Sequence, residues 1–294
     1  MDEYSAQNGG GSLATAPTAL TFADEQALAE AVRRLEHTSL AARLTHMLGS
    51  RIDAAGGFLP ETARKTIAAA TEIALKAAMG AAILTLRNKK GPARKGLHRS
   101  LAVASGAAGG AFGLATLPVE LPVSSTLMLR AIADIARAEG EDLSAPETLV
   151  SCMEVFALGG RKPDDDYLDS GYFAVRAVLA KTVSEAASYL AHFSAAKETA
   201  PALMRLLSEI AARFGLTVSQ KVAAQAIPVI GALGGAGINL AFMEHYQRLA
   251  AGHFTVRRLE RIYGPELVRR EYDRLERIWR TYAGPRERDG APST

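Results

Sequence analysis

The sequence contains a single cysteine, Cys152, among its 294 residues. One cysteine excludes an internal disulfide framework and a cysteine-rich zinc site. Aromatic residues are scarce, at 6%, and no segment alternates apolar and polar residues as a β-strand does. Hydrophobic residues make up 48% of the chain, with much alanine, which is enough for a buried core of closely packed helices.

The first residues lack the basic start and apolar run of a secretory signal, so we expect a cytoplasmic protein. Residues 1–22 include a glycine-rich stretch and are predicted to be a disordered lead. Residues 23–283 are predicted to form one helical domain, followed by a disordered tail over 284–294. The net charge of +3 is small, so local clusters of charge matter more than the total.

Cap and break signals divide the domain into helices. Pro118 and Pro122 should end or kink a helix, and Pro228 should kink or divide another. Gly215 is expected to end a helix, and Ser144 and Thr217 each to start one in a capping box. The predicted helices cover 24–48 with Asp24 as N-cap, 61–86, 123–138, 146–158, 172–193, 199–214, 217 onward, 240–250, 254–263, and one after Gly264-Pro265.

One hexapeptide, G-A-x-G-G-A, occurs twice, at 106–111 and 231–236, each time inside a long apolar stretch. Glycines four residues apart lie on one face of a helix and let another backbone approach closely. We therefore predict an all-α, single multi-helix domain with two glycine-rich, closely packed central helices. The helix-contact glycines are Gly106, Gly109, Gly110, Gly113, Gly231, Gly234 and Gly235.

Two other interpretations of the glycines were weighed. A phosphate-cradling loop would need G-x-G-x-x-G after a strand or a G-K-[ST] ending, and neither is present. Both apolar stretches reach the roughly 20 residues of a membrane-spanning helix. Pro118, Pro228, Gln225 and Asn239 weaken that interpretation, but peripheral or partly inserted membrane contact stays open.

A basic segment, Arg87–Arg99, precedes the first glycine-rich stretch and holds six Lys or Arg residues and no acid. Such a segment suits anionic lipid headgroups, although a solvated turn would have the same composition. The arginines near the C-terminus alternate with acids and belong to no nucleic-acid-binding module, so we expect no nucleic-acid partner. The candidate lipid-facing residues are Lys89, Lys90, Arg94, Lys95 and Arg99.

Glu120 is the one ionisable residue between Leu101 and Leu129. Such an acid either pairs with a buried base, for which Arg130 and Lys221 are candidates, or has a functional role. If the chain is an enzyme, the hypothesis is a polar site to which several buried groups converge, with catalytic residues unknown. The candidate polar site comprises Glu120, Lys221, Asn239 and His245.

The remaining motifs are weak. Ser194 and Lys197 match S-x-x-K without its companion motifs. Glu244, His245 and His253 could share a site if the chain turned at Gly252, but hydrogen bonding at a helix end is the simpler interpretation. Four acids between α-helical segments do not fit a calcium loop, so we expect no metal and no cofactor. These acids are Asp164, Asp165, Asp166 and Asp169.

The order of several short patterns resembles the EcsC family of bacterial proteins, over more than half of the chain. These are Gly106, Gly109, Gly110 and Gly113, then 117–122 (LPVELP), 130–136 (RAIADIA), Gly140, Glu147, 172–176 (YFAVR), Lys221, 227–231 (IPVIG), Asn239, Phe254, Arg258, Leu259 and Gly264. The family pattern would have an aspartate at Glu120, and the change keeps the charge.

What the resemblance implies about function is limited, because the family has no agreed activity and no catalytic residues to carry over. Its namesake is similar to an accessory of an ABC transporter operon. We therefore expect a non-enzymatic accessory at the cytoplasmic face of the membrane, with anionic lipid or a membrane transporter as partner. An enzyme of unassigned class around Glu120 and a soluble helical scaffold are the alternatives.

Overall fold

The computed structural model of the chain describes residues 18–37, 39–48, 59–85, 116–160, 171–192, 201–226 and 231–282. Within these ranges every regular element is a helix, as the composition predicts. The helices are α1 (Phe22–Glu36), α2 (Leu40–Leu48), α3 (Glu61–Thr85), α4 (Leu117–Ala138), α5 (Pro146–Leu158), α6 (Gly171–His192), α7 (Pro201–Gln225), α8 (Gly231–Tyr263) and α9 (Pro265–Tyr282).

Helix α8 is the axis of the fold. Its 33 residues span about 50 Å at 1.5 Å per residue. It packs against α1, α2, α4, α5, α7 and α9. Because it has neighbours on several sides, its apolar residues do not form a single stripe but are buried around most of the helix.

Side-chain contacts give the direction of the helices around α8. Helix α4 runs parallel to it, since Glu120 bonds to Asn239 near one end and Glu139 to Arg258 near the other. Helices α1 and α2 run antiparallel to α8. Asp24 at the start of α1 pairs with Arg258 near the end of α8, and Arg43 in α2 pairs with Glu244 nearer its start. Helix α7 is also antiparallel to α8. Three neighbours are thus fixed in register along one helix.

Gly252 allows α1 to approach α8 closely. A Cβ atom at this position would lie 2.7 Å from Leu35 Cγ and 3.2 Å from the Ala31 carbonyl oxygen. Both distances are shorter than a carbon can tolerate without movement of α1. Sequence patterns place a turn at Gly252, but α8 continues through it as a helix, so this glycine serves packing rather than a change of direction.

Three helix boundaries near the N-terminus differ from the prediction. The helix predicted over 24–48 is two helices, because the chain breaks at His37, whose ring stacks on Trp279 and whose Nε2 lies 2.8 Å from Glu276 Oε2. Ser39 then caps α2 by accepting a hydrogen bond from the backbone N–H of Ala42. The N-cap of α1 is Thr21 rather than Asp24, so the helical domain begins slightly inside the predicted lead.

Helix α7 runs unbroken from Pro201 to Gln225, so Gly215 does not end a helix and no capping box operates at Thr217. Thr217 is buried, and Ser219 donates to the Gly215 carbonyl within the helix. Tertiary packing of this apolar segment outweighs the local cap signal. The capping box at Ser144 is also absent, since Ala145 is the N-cap and the Ser144 hydroxyl donates to Asp142.

The prolines behave in two ways. Pro118 lies at the first positions of α4 and Pro122 lies inside the same helix, so neither ends it. Near a helix start the missing N–H of proline leaves few hydrogen bonds unmade. Around Pro228 the chain does divide, because α7 ends at Gln225 and α8 begins at Gly231. The second glycine repeat thus opens α8, with Gly235 buried, whereas the first repeat lies outside the described residues.

We expect Gly252→Ala to destabilise the protein by about 1–3 kcal/mol, because the new methyl group displaces Leu35 and α1. Gly215→Ala is the matched control inside α7, where a Cβ would meet nothing within 4 Å. It should stabilise the protein by about 1 kcal/mol through helix propensity. Urea unfolding of both variants measures the two effects, and equal changes of the same sign would refute the packing role of Gly252.

Candidate functional site

Glu120, Lys221 and Asn239 meet where three helices begin or end. Glu120 lies in the first turns of α4, Lys221 one turn before the end of α7, and Asn239 two turns into α8. Lys221 Nζ donates to Glu120 Oε1 at 2.6 Å, and Asn239 Nδ2 donates to the same oxygen at 2.9 Å. The parallel course of α4 and α8 and the antiparallel course of α7 bring these positions together.

This polar cluster is buried. The side chain of Lys221 has 0% exposure and that of Glu120 has 4%. Burial lowers the pKa of Lys221, and the charge of Glu120 opposes that effect. The Lys221 ammonium group also lies 5.2 Å from the ring centroid of Phe242, a distance at which a cation is attracted to an aromatic face.

Only one oxygen of the Glu120 carboxylate is used. Oε1 accepts both hydrogen bonds, while Oε2 and Asn239 Oδ1 are buried and accept none. The cluster therefore joins three helices: an ion pair joins α4 to α7, and the Asn239 hydrogen bond joins α8 to α4. It also contains two buried acceptor oxygens that accept no hydrogen bond. Chemically it can anchor helices or accept a hydrogen bond from a small donor, and its burial gives a bulky substrate no direct access.

The sequence-predicted members converge in part. Lys221 is the base that pairs with Glu120, and the alternative, Arg130, is exposed. His245 is buried on α8 and packs edge-on against Tyr246, with ring centroids 5.2 Å apart. Residues six apart on a helix face different sides, so a direct contact of His245 with Asn239 is not expected, and the convergence of all four groups stays a prediction.

The other candidate motifs separate. Glu244 pairs with Arg43, whereas His253 lies in another buried network, so Glu244, His245 and His253 do not share a site. In the described ranges no group of three His, Cys, Asp or Glu residues could hold a metal ion. Outside those ranges lie the S-x-x-K motif, the first glycine repeat, the basic segment and the four acids at 164–169.

A second buried network surrounds His253 and escaped the sequence patterns. Ser151 Oγ on α5 lies 2.7 Å from His253 Nε2, and the Tyr172 hydroxyl on α6 lies 3.0 Å from His253 Nδ1. Both ring nitrogens are therefore engaged. A serine beside a histidine resembles a nucleophile and its base. Here all three side chains are buried in the core, so the contact serves packing and orientation.

Charged groups extend this network toward the surface. Arg176 donates to the Tyr172 hydroxyl at 3.3 Å and forms a two-bonded ion pair with Glu260. Burial lowers the pKa of His253 well below its usual value, and the Arg176 charge adds to the effect. Burial raises the pKa of Glu154 to about 7. Tyr172 and Arg176 carried a sequence signal as part of the family pattern, and His253 carried one only as a possible neighbour of Glu244 and His245.

Comparison with protein-family models shows which family the chain belongs to. The EcsC protein family model matches residues 24–259, which is most of the chain. The chain belongs to the EcsC protein family. No curated protein and no solved structure matches it. In this EcsC protein the family region begins in α1 and ends in α8, so it contains the Glu120 cluster and His253 with its two hydroxyl partners.

We expect Lys221→Met and Glu120→Leu each to destabilise this EcsC protein by about 3–5 kcal/mol, since each leaves a buried charge without its partner. The double variant should lose less than the sum of the two, because it removes both charges. Urea unfolding of the double-mutant cycle measures this coupling. The exposed pair Arg205–Glu185 provides the control, with a coupling below about 1 kcal/mol.

We expect Glu154→Gln to stabilise the protein at pH 8 and to have little effect near pH 4. The folded-state pKa of Glu154 is about 7, above the ordinary value of 4.5. The unfolded chain therefore releases this proton first, and the folded state loses stability as the pH rises from 4.5 to 7. The gain above pH 7 is at most about 3 kcal/mol.

His253 should give the opposite slope, because its folded-state pKa is lowered. The unfolded chain binds its proton below about pH 6.5, so stability falls as the pH decreases through that value. His253→Gln should remove that loss, and His192→Gln, at an exposed position, should not. Denaturant midpoints measured across pH 4–8 separate the two residues. A variant curve parallel to that of the wild type would contradict the assignment for that residue.

Proposed function

We propose that this EcsC protein is a non-enzymatic accessory that binds the anionic surface of the membrane at its cytoplasmic face. The observation that carries the proposal is the exposure of large apolar side chains at the end of α3 and the start of α4. Leu84 is 80% exposed, Val119 73% and Val123 48%. These two helices pack against each other and flank the part of the chain that contains the basic segment.

Charge is absent around these side chains. After Lys76, helix α3 continues to Thr85 without an ionisable residue. Between Leu117 and Leu129, helix α4 has only Glu120, which is buried and paired. Exposed apolar side chains without neighbouring charges are unfavourable in water and gain free energy in the interfacial region of a bilayer.

The basic segment supplies the second part of the binding energy. Six Lys or Arg residues follow α3 within 14 positions of Thr85 and are not interrupted by an acid. Basic residues near an anionic bilayer contribute about 1 kcal/mol each, and the effect decreases with salt. Apolar insertion and electrostatic attraction together provide the two signals that stable peripheral binding needs.

Helix α3 supports peripheral contact better than a stable membrane span. By length and composition its segment Glu61–Leu84 could cross a bilayer, and 44% of its most apolar window is buried in the protein. Its first 16 residues expose charged side chains, and the helix packs on α4 and α7. A charged exposed face suits the water side of an interface. The charged residues are Glu61, Arg64, Lys65, Glu72 and Lys76.

The test is flotation of the purified full-length chain with liposomes. We expect flotation with vesicles that contain anionic lipid, weaker flotation at high salt, and little with neutral vesicles. Reversal of Lys89, Lys90, Arg94 and Lys95 to Glu should abolish the salt-sensitive part. Leu84→Asp with Val119→Asp should abolish the part that survives salt, because a carboxylate does not enter the apolar region.

A matched control reverses four exposed basic residues on α6, α7 and α9, which changes the total charge equally. In this variant Glu replaces four residues, and the protein should still float. The replaced residues are Lys181, Arg205, Arg270 and Arg277. If it loses binding to the same extent, the attraction depends on net charge and not on the basic segment. Absence of flotation in the wild type would favour the soluble scaffold, and flotation only with membranes that contain an integral protein would favour a transporter partner.

A further inference from the structure

Four arginines from three helices lie close together on one side of α8. Arg33 and Arg34 lie in the last turn of α1, Arg43 lies in α2, and Arg248 lies in α8. Because α1 and α2 run antiparallel to α8, Arg248 lies between two fixed contacts. One turn before it, Glu244 binds Arg43, and one turn after it, Gly252 contacts Leu35. Arg248 is therefore held beside the junction of α1 and α2, between Arg34 and Arg43.

The positive charges in this arginine cluster exceed the negative ones. Glu30 accepts hydrogen bonds from both Arg33 and Arg34, and Glu244 accepts from Arg43. Arg33 and Arg34 share one carboxylate and Arg248 is paired with none, so positive charge is in excess among these side chains. Within the described residues Arg248 forms no ion pair and no hydrogen bond, although it is exposed and has the five donors of a guanidinium group.

The neighbouring cations act on Arg248 directly. Partial burial lowers its pKa, and the charges of Arg43, Arg33 and Arg34 lower it further, with Glu244 opposing them. One guanidinium nitrogen of Arg43, Nη1, is buried and has no hydrogen-bond partner. Like charges held together without a counter-charge create a positive potential, and an anion that binds there relieves their repulsion.

We propose that the arginine cluster of Arg34, Arg43 and Arg248 is a binding site for a phosphoryl group. A phosphoryl group fits because its oxygens accept the parallel N–H groups of a guanidinium, and its negative charges would balance the excess. The ligand is either the headgroup of an anionic lipid or a free phosphorylated compound. This site shares no residue with the basic segment, so it stands whether or not the proposed membrane function holds.

Two measurements on the full-length chain test the site: the thermal midpoint in increasing inorganic phosphate, and sedimentation with vesicles of a zwitterionic lipid that contain a small fraction of phosphatidic acid. Phosphate should raise the midpoint of the wild type. Arg248→Gln should weaken the phosphate effect about tenfold or more, and Arg248→Lys, which keeps the charge but loses the fork, should be intermediate. Arg270→Gln on α9 is the control with the same loss of charge and should match the wild type.

A structural role for Arg248 would give a different pattern. Without phosphate, Arg248→Gln should be at least as stable as the wild type, because the substitution removes a repelled charge and breaks no contact. Loss of stability in this variant without phosphate would show that Arg248 supports the fold and would overturn the proposal. An equal response of the wild type, Arg248→Gln and Arg270→Gln to phosphate would also overturn it, as a general ionic effect.

The two sources of the phosphoryl group differ in the second measurement. Loss of vesicle sedimentation in Arg248→Gln supports a lipid headgroup. Unchanged sedimentation together with a lost phosphate effect supports a free phosphorylated compound. Reversal of the four basic-segment residues tests the membrane function separately, since it should remove vesicle binding and leave the effect of inorganic phosphate on the wild-type cluster intact.

Discussion

A helix that is buried around most of its surface needs partners for the polar side chains that it carries, and α8 meets this need through contacts with most of its neighbours. Asn239 meets Glu120, His253 meets Ser151 and Tyr172, Arg257 meets Glu141, and Glu260 meets Arg176. Each of these contacts reaches a different neighbouring helix or a different point along one. Together they select a single register for α4, α5 and α6 against α8, which apolar packing alone specifies less sharply.

The two buried networks therefore both join neighbouring helices, at opposite ends of α8. Near the start of α8 an ion pair holds the ends of three helices, and near its far end a neutral histidine with two hydroxyl partners holds two more. The surfaces proposed for binding lie outside both networks. Both networks are buried, so contact with partners is left to exposed residues such as Leu84, Val119 and Arg248.

Sequence patterns predicted the all-helical class, the family, the break at Pro228, the end of α5 and, as one of two alternatives, the pairing of Glu120 with a buried base. Those features depend on composition or on isolated residues in strongly apolar surroundings. Boundaries that depend on contacts between distant residues were missed. The break at His37 depends on Trp279 and Glu276, more than 230 positions away, and Gly252 is explained only by the closeness of Leu35. The His253 network joins residues 81 and 102 positions apart, so no local motif marks it.

The late position of α8 in the chain has a consequence for synthesis on the ribosome. Helix α1 completes at Glu36, but the helix against which it packs does not end until Tyr263. At about 5–20 residues per second, the ribosome takes roughly 10–45 seconds to add that intervening length. During this interval α8 is not yet available to cover the apolar side chains of α1, α4 and α7 that pack against it in the folded protein. A premature stop before residue 231 would leave α1 without the helix against which it packs, although α3 to α7 would keep their contacts with one another.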